Sequence, residues 1–188
     1  MIAALPPCRL AIRMWGSYSL NMPDLTSALA ATRAAVADLI ATAERTRHPW
    51  NEPRAPGKWS PAQVVEHVAI ALEENGNVMM GRPSRIPTLP AIVRPLLNIL
   101  FKRIVRTGQF PKAKTSAAMT PSKGPAAASD ARGRLEAALA RFEADCRATA
   151  AAGRTVSSGA FGRVALEDLV RFNELHVRHH IKQIPIAL

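Results

Sequence analysis

The chain has 188 residues and a mass of 20.3 kDa; 48% of its residues are hydrophobic, only 5% are aromatic, and its formal net charge is +11. That length holds one domain with a core of its own. The lack of any run of about 18 uninterrupted apolar residues argues against a membrane-spanning helix, and an apolar fraction led by alanine, leucine and valine suits helices better than a sheet. Basic charge invites a nucleic-acid reading, yet no arginine run is interleaved with aromatics as a base-stacking platform requires. We therefore read the arginines as spread over solvated faces and expect no nucleic-acid partner.

The first 21 residues carry Arg9, Arg13 and an apolar run broken by Pro6 and Pro7. No clean apolar segment follows the charges, so they make a poor secretory signal. We read them as a disordered leader or an over-extended translation start, with the domain at 22–188. Cys8 and Cys146 stand far apart in no recognisable motif, which supports neither a disulfide framework nor a thiolate metal site and fits a reducing cytoplasm.

The first predicted helix runs from Asp24 to Arg47. Leu25, Leu29, Thr32, Val36, Leu39 and Ala43 recur every three to four residues and draw one apolar stripe, and Pro49 stops any continuation. His48, just before that proline, is expected at the surface. The second helix has a sharp start: Ser60-Pro61-Ala62-Gln63 is a capping box with proline at the first helical position. It should reach Met80 and end at Gly81. Only Glu66, Glu73 and Asn77 form a polar strip on it, so the helix is expected to be largely buried.

An extra helix over Ala91–Arg106 is apolar through Ile92, Leu96, Leu97, Ile99, Leu100, Ile104 and Val105, and basic through Arg94, Lys102, Arg103 and Arg106. A helix of this kind can lie on an anionic membrane surface; the preferred reading is an excursion that covers one end of the core. From Thr107 to Ser129, Pro, Ala, Ser and Lys dominate, which reads as a mobile linker. The third helix spans Asp130–Ala151, with Leu135, Ala138, Leu139, Phe142 and Cys146 inward. The fourth spans Ala165–Ile184. Together these elements predict an all-α, four-helix bundle with a long crossover between helices two and three.

On a wheel of the last helix, Leu166, Leu169, Asn173, His176, His180 and Ile184 share one arc, with Arg171, Glu174 and Arg178 opposite and solvated. Histidines four apart have Cβ atoms about 5–6 Å apart, close enough to converge on one ion with Zn–N bonds of about 2.0–2.1 Å. His179 falls at the edge of the stripe, near Gln183, and is less well aimed. His67 lies in the apolar arc of helix two, so facing that helix toward the last one brings it to the pair. The pattern also admits a plain reading, in which His67 is a hydrogen-bonded core residue and His176 and His180 form an unliganded cluster. Glu74 shares a wheel face with His67 but lies two turns on; an exposed position is preferred for it over an outer-shell base.

Two stretches, Trp59-Ser60-Pro61-Ala62-Gln63-Val64-Val65-Glu66-His67 and Phe172-Asn173-Glu174-Leu175-His176-Val177-Arg178-His179-His180-Ile181-Lys182-Gln183-Ile184 with Phe161-Gly162 before it, resemble the start of helix two and the last helix of DinB-like proteins. The resemblance spans Asp24 to the C-terminus. It implies a four-helix bundle with a divalent ion held by one histidine of helix two and two of the last helix, here His67, His176 and His180. Proteins of that superfamily include thiol-dependent transferases, isomerases of the maleylpyruvate type and proposed metal-dependent hydrolases, and many have no assigned reaction. The basic extra helix, the long linker and the leader depart from the pattern.

The expected function is therefore that of a cytoplasmic metal-dependent enzyme acting on a small molecule, with a low-molecular-weight thiol or water activated at the ion. Such a site needs no protein nucleophile. Imidazoles suit zinc, nickel, iron and copper alike. The rival is a binding or stress-response module in which the ion is structural. Oligomeric state is left open, a homodimer included.

Overall fold

The computed structural model describes residues 24–112 and 114–185; the leader and Cys8 lie outside them. Five α-helices form among the described residues: α1 (Leu25–Arg45), α2 (Pro61–Met80), α3 (Arg94–Thr107), α4 (Ala128–Ala151) and α5 (Leu166–Ile181). Their boundaries follow from local chemistry. Asp24 caps α1 by accepting from Ser27 N at 2.8 Å. At α2, Ser60 Oγ accepts from Gln63 N while Gln63 Oε1 accepts from Ser60 N, the reciprocal pair that the sequence predicts. Gly81 closes α2 with φ +67°, and Arg82 N–H reaches back to Asn77 O at 2.8 Å. The third bundle helix starts at Ala128, ahead of Asp130, because the Asp130 carboxylate accepts from Ala127 N instead of capping the helix itself.

The four long helices α1, α2, α4 and α5 make the bundle. α1 packs on α5 and α4, and α2 packs on α4 and α5, so α1 and α2 stand diagonally opposite. The core comes from the predicted stripes: Leu29, Val36 and Leu39 of α1, Val64, Val65 and Val68 of α2, Leu135 and Phe142 of α4, and Leu169 and Val170 of α5. α1 has the length and mean hydropathy of a membrane span, and it is the one helix that does among the described residues. Its apolar stripe faces this core.

Asp145 of α4 pairs with Arg82 and sits so close to α2 that a Cβ on Gly76 would come within 2.5 Å of its carboxylate. Arg134 joins α4 to the polar strip of α2, donating to Glu66 at 2.9 Å and to Glu73 at 2.6 Å. The described chain also contains two short strands that the all-α expectation lacks, β1 (Val156–Ser158) and β2 (Gly162–Val164). They are antiparallel, with Val156 opposite Val164 and Gly162 at φ +71°. Alternation of buried Val156 and Ser158 with exposed Ser157 lays the hairpin on α2 and α3.

Two expectations fail. Glu174 is not solvated: it is 3% exposed and clamped by Arg171 and Arg178. Glu74 is not exposed either. The chain leaving α2 folds back over it, and the carboxylate accepts from Arg85 N at 2.7 Å. In both cases a neighbouring arginine makes burial of the charge tolerable, which a helical wheel does not register. α3 partly meets its expected covering role, because Phe101 and Ile104 are buried against the α5 and hairpin side. Ile92, Leu96 and Ile99 instead point outward.

Candidate metal centre

α2 delivers His67 and α5 delivers His176 and His180 to one spot between the two helices. The Nε2 atom of His176 lies 3.3 Å from that of His67 and 3.0 Å from that of His180. All three donor atoms fall within 4.8 Å of one another, a grouping that can hold a metal ion. Tetrahedral zinc with bonds of about 2.0–2.1 Å would set its nitrogens about 3.3 Å apart, so the imidazoles stand at a spacing that an ion fits.

Two hydrogen bonds fix which nitrogen turns inward. His67 Nδ1–H donates to Met119 O at 2.9 Å, and His180 Nδ1–H donates to Gln183 Oε1 at 3.1 Å. A carbonyl oxygen only accepts, so each neutral ring carries its hydrogen on Nδ1 and offers an Nε2 lone pair. His176 can supply at most one Nε2 hydrogen between two such lone pairs. At least one acceptor is then unpaired, and a cation would satisfy it.

Electrostatics favours the neutral, ligating form. Burial lowers the pKa of His67, although its bond to Met119 O pulls the other way. His176 falls well below its ordinary value, first through loss of water and then through repulsion by His180 and His67. Burial and His67 take His180 down to about 3. Protonating this cluster would put positive charge beside positive charge away from solvent.

The surroundings are aromatic. Trp59, the residue before the α2 cap, sits 4.6 Å from the His67 ring and stacks on His180 at 5.9 Å. Phe172, one turn before His176, lies parallel to it at 6.1 Å. Phe110 comes from the crossover and packs on both His176 and His179. Thus the stretch after α3 supplies a wall of the site through Phe110 and a carbonyl through Met119, within a segment that also carries a 3-10 turn at Ala117–Met119. Pro121 O and Pro125 O of the same segment accept from Gln63 and Trp50.

The remaining predicted residues separate cleanly. His179 points beside the cluster, with its Nε2 3.2 Å from Gln183 Nε2. His48 is bound to Glu52 O at 3.0 Å, far along the chain from the cluster. Glu74 is committed to Arg85. Cys146 is a buried free thiol against Met79, its pKa pushed up to about 12 by burial and by Asp145, so it has no nucleophilic form near neutrality. Sequence reasoning overlooked Trp59, Phe110, Met119 and Gln183 as parts of the site. Gln183 was findable, being one turn after His180; a main-chain carbonyl such as that of Met119 leaves no residue-type signal.

Asn75 and Asn173 add a buried brace, Asn75 Nδ2 donating to Asn173 Oδ1 at 3.1 Å and to Ala71 O at 2.8 Å. It ties α2 to α5 between the histidines and the hairpin end. In comparison with known proteins, residues 24–184 match the family model described as the DinB superfamily. No curated protein and no solved structure matches the chain.

Proposed function

The chain belongs to the DinB superfamily, and from that premise and its three converging imidazoles we propose that it is a metal-dependent enzyme of small molecules. His67, His176 and His180 would hold one divalent ion, zinc, nickel or iron, in a reducing cytoplasm. When bound, such an ion lowers the pKa of a thiol or a water and orients it against an electrophile. The reaction classes in keeping with this are thiol S-transfer and hydrolysis.

The observation that carries the reading is the convergence of three Nε2 atoms, with the His67 and His180 rings tied back by Met119 O and Gln183. The chain's own groups then have distinct tasks. Met119 and Gln183 hold the tautomers of His67 and His180, and Nε2 of His176 lies within 3.3 Å of both of theirs. Trp59, Phe110 and Phe172 pack around the three rings and suit an apolar portion of a substrate.

A non-catalytic module with a structural ion is the second reading. Structural sites are closed by four protein ligands, and among the described residues the group that can hold an ion is the three histidines. That favours the enzyme.

Elemental analysis of the purified chain, beside His176→Ala and His180→Ala, tests the ligand set. About one ion per chain is expected in the wild type and a near-complete loss in both variants; equal content in all three ends the proposal. A screen of small thiols against the loaded protein, followed by spectral change at the metal, then separates the thiol reading from the hydrolytic one.

A further inference from the structure

The positive charge is not spread evenly. Between Glu74 and Asp130 the sequence has no acidic residue and nine lysines or arginines. The centre of this block is α3, whose inner face is anchored by Phe101 and Ile104 and by Asn98, which donates to Phe161 O at 2.9 Å and so fixes the helix to the hairpin. Its outward face is left without a partner among the described residues. Ile92 is 87% exposed, Leu96 69% and Ile99 67%. At about 100° per residue, Leu96, Ile99, Arg103 and Arg106 of α3 fall on a single arc, and Ile92 lies in the turn just ahead of the helix. The face is aliphatic at its N-terminal end and basic at its C-terminal end, over roughly 15 Å of helix.

Three kinds of partner differ in what they would use. A nucleic acid engages the arginines but has no use for three exposed aliphatic side chains ahead of them. A second copy would cover the aliphatics while bringing two strongly basic surfaces together, without acidic groups to match. An anionic bilayer uses both halves: aliphatics sink below the headgroups and arginines meet the lipid phosphates and carboxylates.

We propose that the outward face of α3 docks the bundle onto an anionic membrane surface, Ile92, Leu96 and Ile99 entering the headgroup boundary and Lys102, Arg103 and Arg106 engaging the anionic lipids. The docking is peripheral, since α3 remains packed on the bundle through Phe101. α3 lies on the crossover, directly ahead in the chain of the segment that supplies Phe110 and Met119 to the histidines. The docking itself does not depend on the metal reading, and its test has no metal readout.

The experiment is co-sedimentation of the full chain with phosphatidylcholine vesicles and with phosphatidylcholine–phosphatidylserine vesicles, at low and raised salt. The expected result is pelleting with the anionic vesicles alone, weakened by salt. Leu96→Asp with Ile99→Asp should lower partitioning at least tenfold. Lys102→Ser with Arg103→Ser and Arg106→Ser should lower it by about a hundredfold, at about fivefold per basic residue. Arg154→Ser, exposed and elsewhere on the surface, should change nothing, and circular dichroism should show every variant folded, because none of these side chains is in the core.

No pelleting, or pelleting that neither set of substitutions lowers, overturns the proposal. A dimer in ultracentrifugation that Leu96→Asp and Ile99→Asp dissolve, without vesicle binding, assigns the face to a second copy instead. Pelleting gained only when residues 1–21 are removed assigns it to that segment. Salt-sensitive binding to RNA that survives the two aspartates assigns the basic half to nucleic acid.

Discussion

His67 presents Nε2 inward because the carbonyl of Met119 accepts its Nδ1–H, and His180 does the same because Gln183 lies one turn further on. Outer partners of this kind typically change metal affinity by 10–100-fold. Gln183→Leu should therefore weaken metal binding by about that factor in competition with a chromophoric chelator while leaving the metal-free fold intact; an unchanged affinity would remove Gln183 from the site. The metal-free protein should also show a pH signature. His67, His176 and His180 all have folded pKa values below the ordinary histidine value, so below about pH 6.5 the unfolded chain binds protons that the folded chain refuses. Stability is then greatest above that pH and falls as pH drops toward about 3, where His180 takes up its proton. Urea midpoints from pH 7 to 5 should decline, and His180→Gln should flatten the decline by up to about 1 kcal/mol per pH unit. Cys146 should resist alkylation in the native protein and react on unfolding, as peptide mapping would show. The meeting of His176 and His180 was legible in the sequence because spacing by four on an apolar arc is a local property, and His67 was legible through its place in the apolar arc of α2. Met119 was not, since every residue has a carbonyl and only the path of the crossover brings that one to His67.

At the scale of elements, α2 began where the sequence placed it because both halves of its capping box lie within four residues. Ser60→Ala should cost about 1 kcal/mol in chemical denaturation. α5 ended earlier than expected, at Ile181 instead of Ile184. Pro185 disfavours helical geometry in the residue before it, and the chain tightens through Gln183 N to His180 O and Ile184 N to Ile181 O. That early end is useful, because it frees Gln183 to turn its side chain toward His180. The pairing of α2 with α4 rests on Arg134 between Glu66 and Glu73, all half-buried. Arg134→Leu leaves two carboxylates facing each other without their donor, and a loss of about 2 kcal/mol is expected. The buried positions of Glu74 and Glu174 were illegible for the same kind of reason: Arg85 comes from a loop, and a wheel does not show that Arg171 and Arg178 close over a shared partner.

In the whole molecule, bundle order sets the site. α2 and α5 are neighbours, braced by Asn75 and Asn173, so one histidine from the first half of the chain meets two from the end. The fold class and all four bundle helices were readable from apolar periodicity. The hairpin escaped because strands of three residues carry too little alternation to register, and the outward turn of the α3 aliphatics depends on which face Phe101 and the hairpin claim. Because an ion would bind the folded chain at residues far apart in sequence, it should raise the thermal midpoint by mass action. On this reading His67, His176 and His180 form one ligand set. X-ray absorption fine structure on the metal-loaded chain reads out that set. The expected first shell contains three imidazole nitrogens at about 2.0–2.1 Å if zinc is bound, reduced to two in His67→Ala. A first shell with sulfur at about 2.3 Å, or one that His67→Ala leaves unaltered, would contradict it.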